Sequence, residues 1–285
     1  MSEDPDPEAT PDWAHSFGGV ADAYERARPT YPADAAQWLV GQQAATVLEL
    51  GAGTGKLTEQ LVALGHGVVA TDPDPAMLQR LQRKLPEVST LIAHAEDLPV
   101  GDHGFDAVVA AQAFHWFDLD RALPEIARAL KRGGRLGLVW NHRDESIPWV
   151  RRLGAVIGTQ DQLDEPAEAL ADSGLFGPVE EARFTHWQQV DRKSIQELAL
   201  SRSNVAVLDA EARATKLAEV VAFYDEYGRG MDGMKLPYVT RCFRAIVVDQ
   251  PGHDQSGHDQ SDLGATTGEA PSDGSDTDTL LIDFR

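Results

Sequence analysis

Val47-Leu48-Glu49-Leu50-Gly51-Ala52-Gly53-Thr54-Gly55 is the stretch that decides how this chain folds. A short, mostly apolar run meets glycines at every second position. A second apolar run then ends in acid, Val68-Val69-Ala70-Thr71-Asp72. The order strand, glycine turn, helix, strand, carboxylate is how a doubly wound sheet holds an adenosine-containing ligand. Glycines in such a turn reach φ > 0 and let the backbone pass close to what it binds.

Two familiar glycine loops can be tested against the letters. A nicotinamide fingerprint requires Gly-x-Gly-x-x-Gly, but the sixth position is Lys56 and the third glycine falls at 55. A phosphate-gripping loop requires Gly-x-x-x-x-Gly-Lys-Ser/Thr. Leu50 stands five before Gly55 and Leu57 follows Lys56, so that pattern fails too. What is left, Gly-x-Gly-x-Gly, suits a ligand without a pyrophosphate. Asp72, 17 residues beyond Gly55, can accept from two sugar hydroxyls at once. The plainer reading makes the glycines a turn and Asp72 the cap of the next helix.

Working outward, periodicity predicts helices over 33–40, 56–64, 76–85 and 121–130 and strands over 46–50, 68–71, 90–93, 105–110 and 135–140. Pro86 stops the third helix, and Lys131-Arg132-Gly133-Gly134 reads as the turn closing the fourth. A strand and helix repeat of this kind predicts an α/β fold with a doubly wound, mostly parallel sheet and helices on both faces. Beyond it, helices are expected over 147–157, 162–171, 194–200 and 210–227. Strands are expected over 179–190 and 236–248, the last antiparallel, which makes seven strands.

Composition sets the outer limits. A 285-residue chain with 42% apolar residues can bury a real core. Its net charge of -21 disfavours nucleic acid and anionic lipid as partners. Much of that charge sits at the ends: residues 1–12 hold five acids and no base, and 249–285 hold nine acids and one arginine. The second end also repeats Gly-His-Asp-Gln-Ser. Both ends read as disordered acidic tails around a domain at 13–248. A single cysteine, Cys242, allows no intrachain disulfide. No apolar stretch reaches 18 residues and the N-terminus lacks a signal-peptide pattern, so a cytoplasmic protein is expected.

Leu48-Glu49-Leu50-Gly51-Ala52-Gly53-Thr54-Gly55 resembles the Leu-Asp/Glu-x-Gly-x-Gly-x-Gly motif of class I S-adenosylmethionine-dependent methyltransferases. Further stretches extend the resemblance over 46–140: Asp72, His94-Ala95-Glu96-Asp97-Leu98-Pro99, Phe105-Asp106-Ala107-Val108-Val109-Ala110 with Ala113-Phe114-His115-Trp116-Phe117, and Leu130-Lys131-Arg132-Gly133-Gly134-Arg135-Leu136. In the last, Arg132 replaces the usual proline. The opening segment Phe17…Tyr24…Arg28-Pro29-x-Tyr31-Pro32 is similar to that of the trans-aconitate methyltransferase-like subgroup. The resemblance implies a Rossmann-like methyltransferase fold with a donor-binding core at 46–140, a lid at 13–45, and acceptor-side helices and last strands at 141–248. The implied cofactor is S-adenosyl-L-methionine, released as S-adenosyl-L-homocysteine, with no metal.

The same resemblance assigns candidate roles. Gly51, Gly53, Gly55, Asp72, Ala95, Glu96 and Gln112 bind the cofactor, and Glu49 meets its amino group or else only satisfies turn amides. Tyr24, Arg28, Tyr31 and Trp116 face the substrate. Arg26 and Arg28 are candidate carboxylate clamps or partners of surface acids. His115 is a catalytic base, a lining residue or a structural one. Trp140, Asn141, His142, Trp149 and Trp187 are further candidates for the acceptor side or the core. The expected reaction is in-line methyl transfer to a small-molecule acceptor, on a carboxylate or hydroxyl, in a monomer or homodimer. The alternatives are a nicotinamide-dependent oxidoreductase on a related fold and a non-catalytic cofactor-binding module.

Overall fold

The computed structural model describes residues 28–158, 166–202, 205, 207–227 and 233–248. The two acidic ends, Tyr24 and Arg26 lie outside the described residues. Helix α1 (Ala33–Val40) precedes strand β1 (Thr46–Leu50). Then come α2 (Lys56–Ala63), β2 (Gly67–Asp72), α3 (Pro75–Lys84), β3 (Ser89–Ile92) and β4 (Phe105–Ala111). A 3-10 turn (Phe114–Trp116) leads to α4 (Leu119–Ala129) and β5 (Leu130–Arg143). The remaining described elements are α5 (Pro148–Ile157), α6 (Pro166–Ser173), β6 (Glu180–Val190), α7 (Arg192–Leu200), α8 (Ala210–Tyr227) and β7 (Met234–Ile246).

These strands form one seven-stranded sheet in the order β3-β2-β1-β4-β5-β7-β6. The pairs from β3 through β5 are parallel, and β7 runs antiparallel to both β5 and β6. The expected fold class is therefore present, with the last strand threaded between its two predecessors. β1 pairs with β2 on one side and β4 on the other, so the strand order reverses there. Beyond the carboxyl ends of β1 and β4 such a reversal leaves a crevice. Residues Val47 to Leu50 are buried, as a strand covered on both faces requires.

Helices cover both faces. On one, Ala122, Leu123 and Ile126 of α4 pack with Leu48, Val108 and Leu138. On the other, Leu39 of α1, Leu57 and Leu61 of α2 and Leu81 of α3 pack with Val47, Ala70 and Val109. A third apolar cluster joins α5, α7 and α8 to Leu236 and Tyr238 of β7. Local signals set several boundaries. Asp74 caps α3 through the Ala76 amide, with Pro75 at the first helical position. Asp191 and Ser194 form a reciprocal cap that starts α7 two residues before the predicted Ser194.

Two expectations need correction. The Lys131–Gly134 stretch is a bulge within β5 and not a turn before it. Leu130 already pairs with Phe105, and pairing resumes at Arg135 with Ala107. Gly134 is required there, because a Cβ would lie 2.8 Å from the Lys131 carbonyl. β5 also continues to Arg143, since β7 offers partners that far, with Asn141 opposite Thr240 and His142 opposite Val239. Trp140 consequently sits in the core. It is 3% exposed and makes edge contacts with Phe114 and Phe243.

Candidate active site

The glycine turn leaves β1 in left-handed backbone. Gly51, Gly53 and Gly55 have φ of 65°, 56° and 84°. At Gly51 a Cβ would lie 2.6 Å from the Ala113 Cβ, so the turn packs against the end of β4 only without a side chain. At Gly53 nothing stands within 4 Å of that position, and the bare backbone faces open space. Asp72 holds the turn in place. Its Oδ2 accepts from the Gly53 amide at 2.8 Å and its Oδ1 from the Asp74 amide at 2.9 Å. Each oxygen keeps a second lone pair for a ligand hydroxyl.

Glu49 is fully buried one residue from the end of β1. Its Oε2 accepts from the Thr58 hydroxyl of α2 at 2.6 Å, while Oε1 is buried without a hydrogen-bond partner. Burial pushes its carboxyl up to about 8, against the Thr58 bond and with help from the Asp72 charge. Asp72 is also raised. Burial is the main cause, the Asp74 and Gly53 amides oppose it, the Asp74 charge adds to it and the His94 charge opposes it. An acceptor atom buried without a partner is costly until something donates to it. A donor group on a ligand beside the glycine turn would meet that need.

Arg28, Tyr31, Glu49, Gly51, Gly53 and Gln112 line a single pocket over this turn. Tyr31 is buried against α1 and α2, and its hydroxyl accepts from Gln112 Nε2 at 3.4 Å. Gln112 has φ of 53°, uncommon for a residue with a side chain. Its amide donates to the Val139 carbonyl at 2.9 Å. Gly55 starts α2 just behind the pocket.

Other predicted residues lie elsewhere. Ala95 is buried in the core beside Leu98 and Phe114. Glu96 Oε1 accepts from the Asp118 amide at 2.7 Å, at the start of α4. Phe114 anchors the 3-10 turn in the core, leaving His115 and Trp116 exposed with their rings 4.5 Å apart. Neither is among the residues lining the pocket. Trp187 is exposed on β6, and Trp149 packs against the third core cluster.

Several contributors were not singled out from the sequence. Thr58 is one, and its place three residues past Gly55 on the first turn of α2 is the signal that points back at Glu49. Thr54 is another, with its hydroxyl buried and lacking a partner. His94 is a third, exposed but close enough for its charge to act on Asp72. At the far end of β5, His142 is held down to about 4 by burial and then by the charges of Arg241, Arg143 and Arg202. Among the described residues no group of three or more His, Cys, Asp or Glu converges as a metal site would. No described helix is long and apolar enough to cross a membrane.

The fold, the glycine cradle and its two carboxylates define a class of protein that binds an adenosyl donor at the switch point of a seven-stranded sheet. The methyltransferase-domain family matches residues 48–138. The chain is 43% identical over 236 residues to an uncharacterised methyltransferase of Mycobacterium tuberculosis, covering 82% of this chain and 96% of that one. It is 35% identical to an uncharacterised methyltransferase-like protein of Schizosaccharomyces pombe, covering 79% and 92%. A proposed type II methyltransferase from Anaeromyxobacter dehalogenans superposes with a TM-score of 0.57 at 25% identity, covering 76% and 97%. The chain belongs to the class I S-adenosylmethionine-dependent methyltransferases.

Proposed function

We propose that this protein transfers a methyl group from S-adenosylmethionine to a small-molecule acceptor by direct in-line displacement, on a carboxylate or hydroxyl oxygen. The observation that carries the reading is the buried Glu49 Oε1, unpartnered beside the glycine turn that Asp72 anchors. When bound, the donor supplies a methyl group on a positively charged sulfur, already activated for displacement. The protein's part is then mainly alignment. Glu49 takes the donor's ammonium, which returns its carboxyl to the charged form. The second lone pairs of Asp72 take the ribose hydroxyls. Gln112 and Tyr31 close the pocket where acceptor and methyl meet, and Arg28 borders it on the acceptor side. His115 is the candidate base for a hydroxyl acceptor, whereas a carboxylate needs none.

Tyr24, Trp116, Ala95 and Glu96 keep their proposed roles as substrate-side and adenine-side residues, within a lid at 13–45 and a donor-binding core at 46–140. A nicotinamide oxidoreductase is disfavoured by Lys56 in the place of the third fingerprint glycine. A net charge of -21 disfavours nucleic acid as acceptor. The test is methyl transfer from labelled donor to fractionated metabolites, reading product mass and base lability. A base-labile product identifies an ester. Donor binding with no transfer to any acceptor would sink the catalytic reading and leave a binding module.

A further inference from the structure

β6 ends the sheet, and among the described residues only β7 pairs with it. All eleven of its residues, Glu180–Val190, pair with β7 in unbroken register, so the strand carries no bulge. Its outer edge is therefore an uninterrupted row of backbone donors and acceptors. Such an edge pairs with other chains unless proline, lysine, a bulge or an acid blunts it. The stretch 182–190 holds no proline, no lysine and no acid, in a chain with 46 acids. The two acids that begin the strand are taken up by the chain's own arginines. Glu180 Oε2 accepts from Arg244 Nε at 2.9 Å. Glu181 Oε1 accepts from Arg241 Nε at 3.1 Å and from Arg183 Nε at 2.9 Å.

Side chains alternate along this edge. Arg183, Thr185 and Trp187 share one face and are exposed, Trp187 by 62% and the Arg183 side chain by 65%. Phe184 and His186 are half-buried on the other. Tryptophan and arginine are the side chains most enriched where protein surfaces meet.

A second copy of the same strand fits this edge. Two identical strands pair antiparallel about a two-fold axis perpendicular to the sheet. Residues set opposite each other must point to the same face, so the axis passes through a residue and not between two. Thr185 is the middle of the eleven, and an axis there pairs the whole strand. That axis sets Arg183 opposite the partner's Trp187, and Trp187 opposite the partner's Arg183, a guanidinium over an indole on each side. Arg183 can keep its bond to Glu181 through its edge while its plane meets the indole. On the other face Phe184 stands opposite the partner's His186, ring against ring. Moving the axis to another residue shortens the pairing and breaks the match of arginine with tryptophan. Eleven paired residues per chain make roughly ten to twelve backbone hydrogen bonds, as many as a specific interface usually carries.

We propose that this protein is a two-fold dimer whose β6 edges pair antiparallel about Thr185, joining two seven-stranded sheets into one continuous sheet.

Sedimentation velocity of the full chain over a micromolar dilution series should show a dimer that dissociates on dilution. Thr185→Lys sets like charges face to face on the axis and should weaken the dimer by about tenfold or more. Trp187→Ala changes an exposed side chain that the fold does not need, and it should also weaken the dimer, because symmetry removes the contact twice. Mild oxidation of Thr185→Cys should trap a covalent dimer, since the two thiols face each other across the axis. Gln189→Cys should not be trapped, since it faces the partner's Glu181. Native Cys242 is buried and does not compete. A chain that stays monomeric throughout overturns the proposal, and β6 amides protected from hydrogen exchange would then assign the edge to another segment of the same chain. A dimer that tolerates both Thr185→Lys and Trp187→Ala overturns it too, as does crosslinking of Gln189→Cys as readily as Thr185→Cys. Either result places the second copy elsewhere.

Discussion

The side-chain amide of Asn141 donates to the main-chain carbonyl of Thr30 over 3.1 Å. The bond joins the end of β5 to the segment that carries Tyr31 and Arg28 into the pocket. Asn141 is itself held, because its Oδ1 accepts from the Thr240 hydroxyl at 2.6 Å, and both side chains are buried. The position of the pocket's outer wall is thus set from inside the sheet.

Asn141→Leu removes both bonds and leaves the Thr240 hydroxyl and Thr30 carbonyl to find new partners. The expected loss is about 1–3 kcal/mol. That lowers the melting midpoint by roughly 2–12 °C, at about 2–4 °C per kcal/mol for a domain of this size. Calorimetric melting checks it, and an unchanged midpoint would show that the bond contributes nothing. Donor affinity should fall in the same variant, because Tyr31 and Arg28 lose their anchor.

Glu49 yields a pH prediction with a definite sign. Its folded pKa of about 8 lies above the ordinary 4.5 of a glutamate, so between those values the folded state binds more protons than the unfolded one. Its contribution therefore weakens stability as pH rises through this window. Glu49→Gln should raise the melting midpoint of the donor-free protein at pH 8 more than at pH 5, by roughly 2–4 °C for each kcal/mol relieved. The same variant should bind S-adenosylhomocysteine about tenfold more weakly or worse, having lost the partner of its ammonium. Equal midpoint shifts at both pH values would count against the buried, titrating Glu49.

Asp72→Ala removes the acceptor of the Gly53 amide as well as the proposed ribose contact. We expect the S-adenosylhomocysteine dissociation constant to rise by about tenfold or more, which is roughly 1.4 kcal/mol. Isothermal titration measures it. Asp72→Asn keeps one acceptor oxygen for Gly53 and should fall between the two, and binding indistinguishable from wild type in both would remove Asp72 from the donor site.

Gln112 holds a left-handed backbone with φ of 53°. Such a conformation costs a residue with a side chain of order 1–3 kcal/mol, and a β-branched one more. Gln112→Gly should melt within about 3 °C of wild type, relief of strain offsetting the glycine's added chain entropy. Gln112→Val should melt clearly lower. The two variants lose the same bond to Tyr31, so equal melting points would refute the role of backbone strain.

The glycine turn and the two carboxylates beside it were legible because their signals are local. The glycine turn, Glu49 and Asp72 lie within 24 residues, and two strands and one helix connect them. The bulge at 131–134 looks like a turn in the sequence, because a glycine pair marks either and only the pairing of Leu130 with Phe105 tells them apart. The acceptor side was obscure for a different reason. Arg28 meets Ser201 across 173 residues and Asn141 meets Thr30 across 111. No periodicity spans such distances. The threading of β7 between β5 and β6 is equally non-local, although its direction was anticipated.

That threading dictates an order of events during synthesis. The residues that build β1 to β5 and the donor cradle are made before 144, and their parallel pairing needs nothing later in the chain. β6 then emerges with no neighbour, since its pairing partner is β7, the last described strand. Until residues 234–246 leave the ribosome, β5 and β6 both present open edges of the kind that pair with other chains. A chain lacking residues 234–246 therefore exposes two strand edges at once, β5 and β6, each a template for pairing with another chain.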